Sequence, residues 1–457
     1  ELNIYIYKDK VQYIKSLGVA DSYLIEYSAT NLQIVQSLES VFFFTRAMVG
    51  VFPFMIKQLM NICDNRYSST LLNNVFTGKT CVILAGGPSL DDDIEWVKAN
   101  QHNIAVIAVS RISKTLLKHN ITPHMIVSVD PYDVSFDVSK EQLALPKEVL
   151  FIQANCVNPS LLSQWRGKNV CIGTRFPWDE ASDKNCSIMG GPTVTNTALK
   201  AIIEMGFSNI LLSGVDLCYS KQGISHAADS IEASEGPVLG QPGIWVETYA
   251  GDKAETQIAF GNAISSLSKQ ALEAKQKDVT IYNLSPNAAV AEHIEHIPTS
   301  ALTFENEQDN IWQLIDSVIP KDSTDFIRQD NNFVLDKVSK MLKQIQEVKS
   351  LAVEALECNE LLFKEKGKES ENFKYKLRMD KIEKKFDSHY RKSTRFIKNF
   401  GLNKFITSAQ TSHDEWTDKK IEETGKLYYQ AYVDSSKTLI ELLKQTIQRI
   451  NCRIEEE

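Results

Sequence analysis

All 13 prolines of this 457-residue chain lie between Pro53 and Pro320. Proline fixes φ, removes a backbone donor and interrupts helices. The chain therefore divides into a turn-rich body and a tail in which helices can run unbroken. At roughly 150 residues per domain, the length fits about three domains. Apolar residues make up 43% and charged residues 24%, the balance of a folded chain and not of a disordered one. The net charge of -8 argues against a dedicated nucleic-acid binder, which carries a basic excess or a basic face.

Within the body, short apolar runs recur at residues 81–85, 104–109, 125–129, 149–152, 170–172, 210–212 and 279–282. Amphipathic segments separate many of them, at 92–100, 114–118, 194–205 and 256–275. Buried strands alternating with helices predict a mostly parallel, Rossmann-like sheet covered on both faces, the α/β class. Ligands of such sheets bind beyond the carboxyl ends of the strands. Residues 1–75 read as a small α/β segment whose beginning is missing, with strands at 2–7 and 23–27 and helix elsewhere. Residues 301–457 read as an all-α domain. Apolar positions there fall at helical spacing: Val334, Val338, Met341, Ile345, Val348 and Ala352, then Leu439, Leu442, Leu443, Ile447 and Ile450. The charged stretch 364–398 between them reads as a solvated face.

The eight cysteines form no C-x-x-C pair, and several sit in apolar runs. They read as buried free thiols of a reducing, cytoplasmic compartment, with no disulfide framework and no zinc site. The most apolar early stretch, 41–60, is interrupted by Arg46, Pro53 and Lys57. A buried or interfacial helix is expected there and no membrane span.

Five motifs follow the apolar runs. Gly86-Gly87-Pro88-Ser89 gives backbone N–H groups and a hydroxyl at a helix start, a cradle for phosphate or a tight strand–helix turn. It is neither G-x-G-x-x-G nor a Walker loop. Asp130-Pro131 ends another run, where Asp130 can hold a ribose, a metal or a substrate, or can simply form a turn. Gly190-Gly191-Pro192-Thr193-Val194-Thr195 repeats the first design; Thr193 or Thr195 can cap the helix, contact an anion, or both. Asp216 and Tyr219 follow the run at 210–212, and a polar loop then presents His226, able to donate to a phosphate or move a proton. Finally, Tyr249 can donate to a phosphate, and Asp252 can act as a base or a cap.

The order of these motifs, Ala85-Gly86-Gly87-Pro88-Ser89-Leu90-Asp91, then 121–131, then Gly190 to Leu199, then Leu211 to Ser220 with Ser225-His226-Ala227, resembles the motility-associated factor (Maf) family of flagellin glycosyltransferases. The resemblance covers roughly residues 75–300. Its layout implies a domain 76–300 that carries catalysis and a helical domain 301–457 that can serve flagellin recognition. A more distant similarity reaches bacterial sialyltransferases that use CMP-sialic acid. It implies that Gly87, Pro88 and Ser89 lie against a nucleotide sugar, and Gly191 and Thr193 near its cytidine or carboxylate. It also matches Asn287 in Pro286-Asn287. Where those enzymes carry a histidine after Tyr-x-Gly, this chain has Asp252, so Asp216, His226 and Asp252 are all candidate bases.

The expected activity is transfer of a nonulosonic acid, pseudaminic or legionaminic, from a CMP-activated donor to Ser/Thr of flagellin in a bacterial cytoplasm, as flagellar assembly and motility require. No resident metal is assigned. Two rivals stand beside it. One is a pterin diphosphokinase-like enzyme using ATP and Mg²⁺, with Asp130, Asp216 and Asp252 on the metal. The other is a non-catalytic flagellin-binding factor.

Overall fold

A computed structural model describes residues 3–7, 10–14, 51–179, 186–234, 236–237, 244–304, 311–364, 369–409 and 417–456. The expected strand at 23–27 and the first half of the apolar stretch 41–60 lie outside them. The expected strand at 2–7 is β1 (Asn3–Tyr7), which pairs antiparallel with β2 (Lys10–Ile14). Among the described residues, no helix is long and apolar enough to cross a membrane. All eight cysteines are free; only Cys452 is exposed and Cys186 is half-buried.

The chain forms two compact units: Met60–Ser323, and Glu1–Leu59 together with Thr324–Glu457. These limits differ from the expected 75 and 300 for a packing reason. Leu72 and Phe76 before the first sheet strand, and Ile311, Ile315 and Ile319 after the last, are buried in the sheet's own core.

That sheet has eight strands in the order β12-β11-β8-β3-β4-β5-β6-β7, and all pairings are parallel. The strands are β3 (Thr80–Leu84), β4 (Ala105–Val109), β5 (Met125–Ser128), β6 (Leu150–Ala154), β7 (Asn169–Ile172), β8 (Asn209–Ser213), β11 (Thr280–Asn283) and β12 (Glu295–His296). β4, β5 and β6 are buried at every position. Covering helices on both faces explain their largely apolar sequence, interrupted only by Ser128 and Gln153. A separate hairpin pairs β9 (Ile244–Glu247) with β10 (Lys253–Thr256). The principal covering helices are α1 (Leu90–Asn100), α2 (Ser113–His119), α3 (Val194–Glu204), α4 (Ile258–Lys275) and α5 (Ile311–Val318).

The chain leaves β3 toward β4 and continues outward to β7. It then returns to the other side of β3 as β8. The carboxyl ends of β3 and β8 thus flank the point where strand order reverses, the place where open α/β sheets form a ligand crevice.

In the helical unit, the two apolar stripes lie on α6 (Thr324–Phe363) and α9 (Asp418–Glu456). Val334, Val338, Met341, Ile345, Val348 and Ala352 are all buried; of the second stripe Leu439, Leu443 and Ile450 are buried, and Leu442 and Ile447 half-buried. Asn359, near the carboxyl end of α6, donates to Glu422 O near the amino end of α9 at 2.9 Å. The charged stretch forms α7 (Glu369–Asp387) and α8 (Arg391–Phe400). It is more than a solvated face, because it also buries Ile382, Phe386, Phe396 and Ile397.

Candidate functional site at the switch point

The turn after β3 and the end of β8 interlock through backbone. Ala85 N donates to Ser213 O at 2.9 Å and Gly87 N to Gly214 O at 2.7 Å. Gly214 has φ +67, and a Cβ there would run into Ala85 O. A Cβ on Gly87 would lie 2.6 Å from Gly214 O and closer still to Asp216 Oδ2. Both glycines are therefore required by the close approach of two segments of the chain.

Asp216 is 5% exposed. Its Oδ2 accepts the backbone N–H of Ser89 at 3.0 Å, at the start of α1. Burial pushes its carboxyl up to about 6, against the downward pull of the Ser89 N–H and the Ser89 and Ser285 hydroxyls. Asp93, one turn into α1, is 7% exposed and accepts from Ser213 Oγ at 2.9 Å. Burial likewise lifts it to about 6; Ser213 lowers it, and Asp216 and Asp92 add repulsion. The sequence reading missed Asp93, which looked like one of three acids in a helix's first turn.

A cleft of about 930 Å³ opens over this floor. Of the residues singled out from sequence, it gathers Pro88, Asp216, Tyr219, His226, Asp252 and Asn287. Tyr219 is anchored by its N–H on Glu255 O at 2.8 Å. Its hydroxyl pKa is raised by burial and by Glu255. Asp252 is exposed at the turn of the β9–β10 hairpin and pairs with Lys221 at 2.8 Å. Asn287 O receives the Cys218 thiol at 3.4 Å, and burial pushes that thiol up to about 12.

His226 is held from two sides. Its Nε2 lies 3.0 Å from Arg111 Nη1, and its Nδ1 lies 2.8 Å from Ser225 Oγ. A guanidinium has no acceptor, so Nε2 must accept, and the ring is neutral with its proton on Nδ1. Burial lowers the His226 pKa, Glu232 raises it and Arg111 lowers it, with a net fall. Arg111 also pairs with Glu232. In this state the Nε2 lone pair is engaged, so proton abstraction by His226 first requires Arg111 to move. Arg111 was not singled out from sequence: its only signal was a cation directly after a buried strand.

Other residues singled out from sequence are engaged by the protein itself or lie outside the cleft lining. The Gly86–Ser89 turn is not an open phosphate cradle, because the N–H groups of Gly87 and Ser89 already donate to Gly214 O and Asp216. Gly86 O accepts from Ala227 N at 2.9 Å. Asp130 is exposed at the end of β5 and does not line the cleft; crowding by the surrounding protein raises its carboxyl and Arg111 opposes the rise. Gly191, Thr193 and Thr195 are also outside the cleft lining. Thr193 Oγ1 caps α3 by accepting from Asn196 N at 3.2 Å. Asn196 ties this turn to α4 through Ala263 O at 3.2 Å and Gln270 Oε1 at 3.3 Å. The Tyr249 hydroxyl is spent on the backbone of Ala291, at 3.3 and 3.4 Å. Asp130, Asp216 and Asp252 do not converge, and among the described residues no group of three or more His, Cys, Asp or Glu is placed to hold a metal ion.

A parallel α/β sheet with a polar cleft at its switch point defines a Rossmann-like domain. Comparison with known proteins narrows this. Residues 55–222 match the family described as "6-hydroxymethylpterin diphosphokinase MptE-like". The chain is also similar in fold to the solved Maf glycosyltransferase from Magnetospirillum magneticum AMB-1, at 14% identity and a TM-score of 0.51. That match covers 88% of this chain and 59% of the other, so this chain spans about three fifths of the length of its structural relative. No curated protein matches. The resemblance carried by the motif order thus extends to the fold of nearly the whole chain.

Proposed function

We propose that the chain is a glycosyltransferase that moves a nonulosonic acid of the pseudaminic or legionaminic type from a CMP donor to Ser/Thr hydroxyls of flagellin. The observation that supports this reading best is Asp216, a buried carboxyl raised to about 6 on the floor of the switch-point cleft. Near neutral pH such a group is ionised yet basic enough to accept a proton. The acceptor hydroxyl oxygen bonds to the anomeric carbon, and the bond from that carbon to the phosphate oxygen breaks. CMP departs with the electron pair, and the hydroxyl proton passes to Asp216. Lys221 and Lys253 in the cleft wall supply positive charge for the departing phosphate.

Incubation with a CMP-nonulosonate and flagellin, read by intact mass, tests the reaction. Single Ser89, Asp216, His226 and Asp252 to Ala variants test the site: if all four stay fully active while folded, the site is elsewhere. Absence of both CMP release and a flagellin mass increase would favour the non-catalytic factor.

The match over residues 55–222 favours a second reading, a diphosphokinase using ATP and Mg²⁺. Asp216 and Asp252, two of the three carboxylates that this reading would place on its metal, line the cleft. A ligand that binds only the native state raises its melting temperature. Stabilisation by CMP but not ATP–Mg²⁺ supports the transferase, and the reverse supports the kinase.

A further inference from the structure

A second concavity, of about 300 Å³, lies at the amino end of β7, the strand at one edge of the sheet. It is formed by residues 64–67, by the chain just before β6 and β7, and by residues 319–322. The first 300 residues carry 23 basic and 30 acidic side chains. Against that background the lining is reversed: Arg66, Lys147, Arg166, Lys168 and Lys321 against Asp64 and Asp322.

Its frame is fixed by internal bonds. Arg66 pairs with Asp322, and the Tyr67 hydroxyl donates to Asp322 Oδ1 at 2.6 Å. Lys168 pairs with Asp316 at 2.6 Å, and Trp165 Nε1 donates to Lys168 O at 3.0 Å. Cys171 N donates to Tyr67 O at 2.7 Å. A Cβ on Gly167 would lie 2.5 Å from Lys147 O, so the two loops touch backbone to backbone. Lys147, Arg166 and Lys321 differ from the other cations: among the described residues, none of the three has an ion-pair partner.

We propose that this concavity is an anion site that binds a small phosphate-bearing molecule. Three exposed cations without an ion-pair partner line one hollow, and a multivalent anion bound there would be attracted by all three. Arg166 adds the planar fork that matches phosphate oxygens in pairs. The volume lies at the lower limit of small-ligand pockets, which suits a phosphate or a short phosphomonoester. Because it lies away from the cleft, the proposal stands independently of the catalytic reading.

The test is thermal unfolding of the full chain in inorganic phosphate, glycerol phosphate and chloride at matched ionic strength. Phosphate should raise the melting temperature above chloride. Lys147→Gln with Arg166→Gln should weaken the apparent phosphate affinity at least tenfold, while Lys269→Gln on the exposed face of α4, outside both hollows, should leave it unchanged. Lys321→Gln on the exposed rim repeats the test if the double variant does not fold. A stronger effect of glycerol phosphate identifies an ester as the ligand class, and an equal or weaker one identifies free phosphate. Phosphate no better than chloride, or rim variants that respond as the parent does, overturns the proposal.

Discussion

The carboxylate of Asp216 holds the backbone N–H of Ser89 at 3.0 Å. One strand's end thereby fixes the first turn of the helix that follows its neighbour. The bond joins residues 127 positions apart and places a titratable group directly beneath the cleft.

If Asp216 is the base, transfer should rise with pH through about 6. Asp216→Asn should lower the rate by about 10²- to 10⁴-fold and abolish that rise. Asp252→Ala should cost no more than a few-fold, since Asp252 is exposed and paired with Lys221. A pH–rate profile of all three proteins decides this; equal losses at both positions would reject Asp216 as the special group.

Asp93 and Asp216 should also shape stability. Both folded values, about 6, lie above the ordinary carboxyl value of about 4. The native state thus holds these protons more tightly than the unfolded chain, and stability falls as pH rises from about 4 through 6. For the pair the loss is on the order of a few kcal/mol. Asp93→Asn with Asp216→Asn should remove this slope, so the stability difference from the parent should change across pH 4–6.5 in urea unfolding. A difference that stays flat over that range contradicts the assignment.

Removing Arg111 should release His226. Burial and Arg111 lower the histidine's pKa, and Glu232 raises it. Arg111→Gln should therefore move the His226 titration upward, read from its ring Cε1–H resonance. An unchanged or lower midpoint would mean that the contact at 3.0 Å carries no electrostatic weight.

Glycine at the interlock should be irreplaceable. Gly87→Ala forces a methyl against Gly214 O and Asp216 and should cost about 1–3 kcal/mol or more. Gly261 in α4 has nothing within 4 Å of an added Cβ. Gly261→Ala should instead stabilise by roughly 0.5–1 kcal/mol. Chemical denaturation of the two variants should move in opposite directions.

The cap at Thr193 is a separable structural element. Thr193→Ala should destabilise by about 1 kcal/mol, with Thr193→Ser keeping most of the parent's stability. If Thr193→Ala abolishes donor binding while leaving stability intact, Thr193 has a ligand role that the capping geometry does not express.

The sheet was readable because its strands are buried on both faces. Runs such as 104–109 carry no polar residue, and a run that short and that apolar is what a strand covered from both sides requires. The helical stripes were readable for the same reason at a different period. Asp216, Tyr219 and His226 came from one segment, and their meeting in one cleft follows from a strand end and the loop after it. What escaped was pairing between segments. Arg111 gains meaning only from His226 and Glu232, more than a hundred residues later. Asp93 was indistinguishable from Asp91 and Asp92 until Ser213 and Asp216 came to its side. The turn after β3 could be read as a cradle or as a tight turn, because its glycines announce close approach without saying what approaches. Here it is the protein's own carbonyl and carboxylate.

The division at Leu59 and Thr324 makes Met60–Ser323 one uninterrupted run of chain, while the other unit is assembled from both ends of the sequence. During synthesis the α/β unit can emerge and fold as soon as Ser323 clears the ribosome. The discontinuous unit must wait for its last helices. A truncated message or a stalled ribosome would thus release a finished sheet and its cleft attached to an unfinished companion.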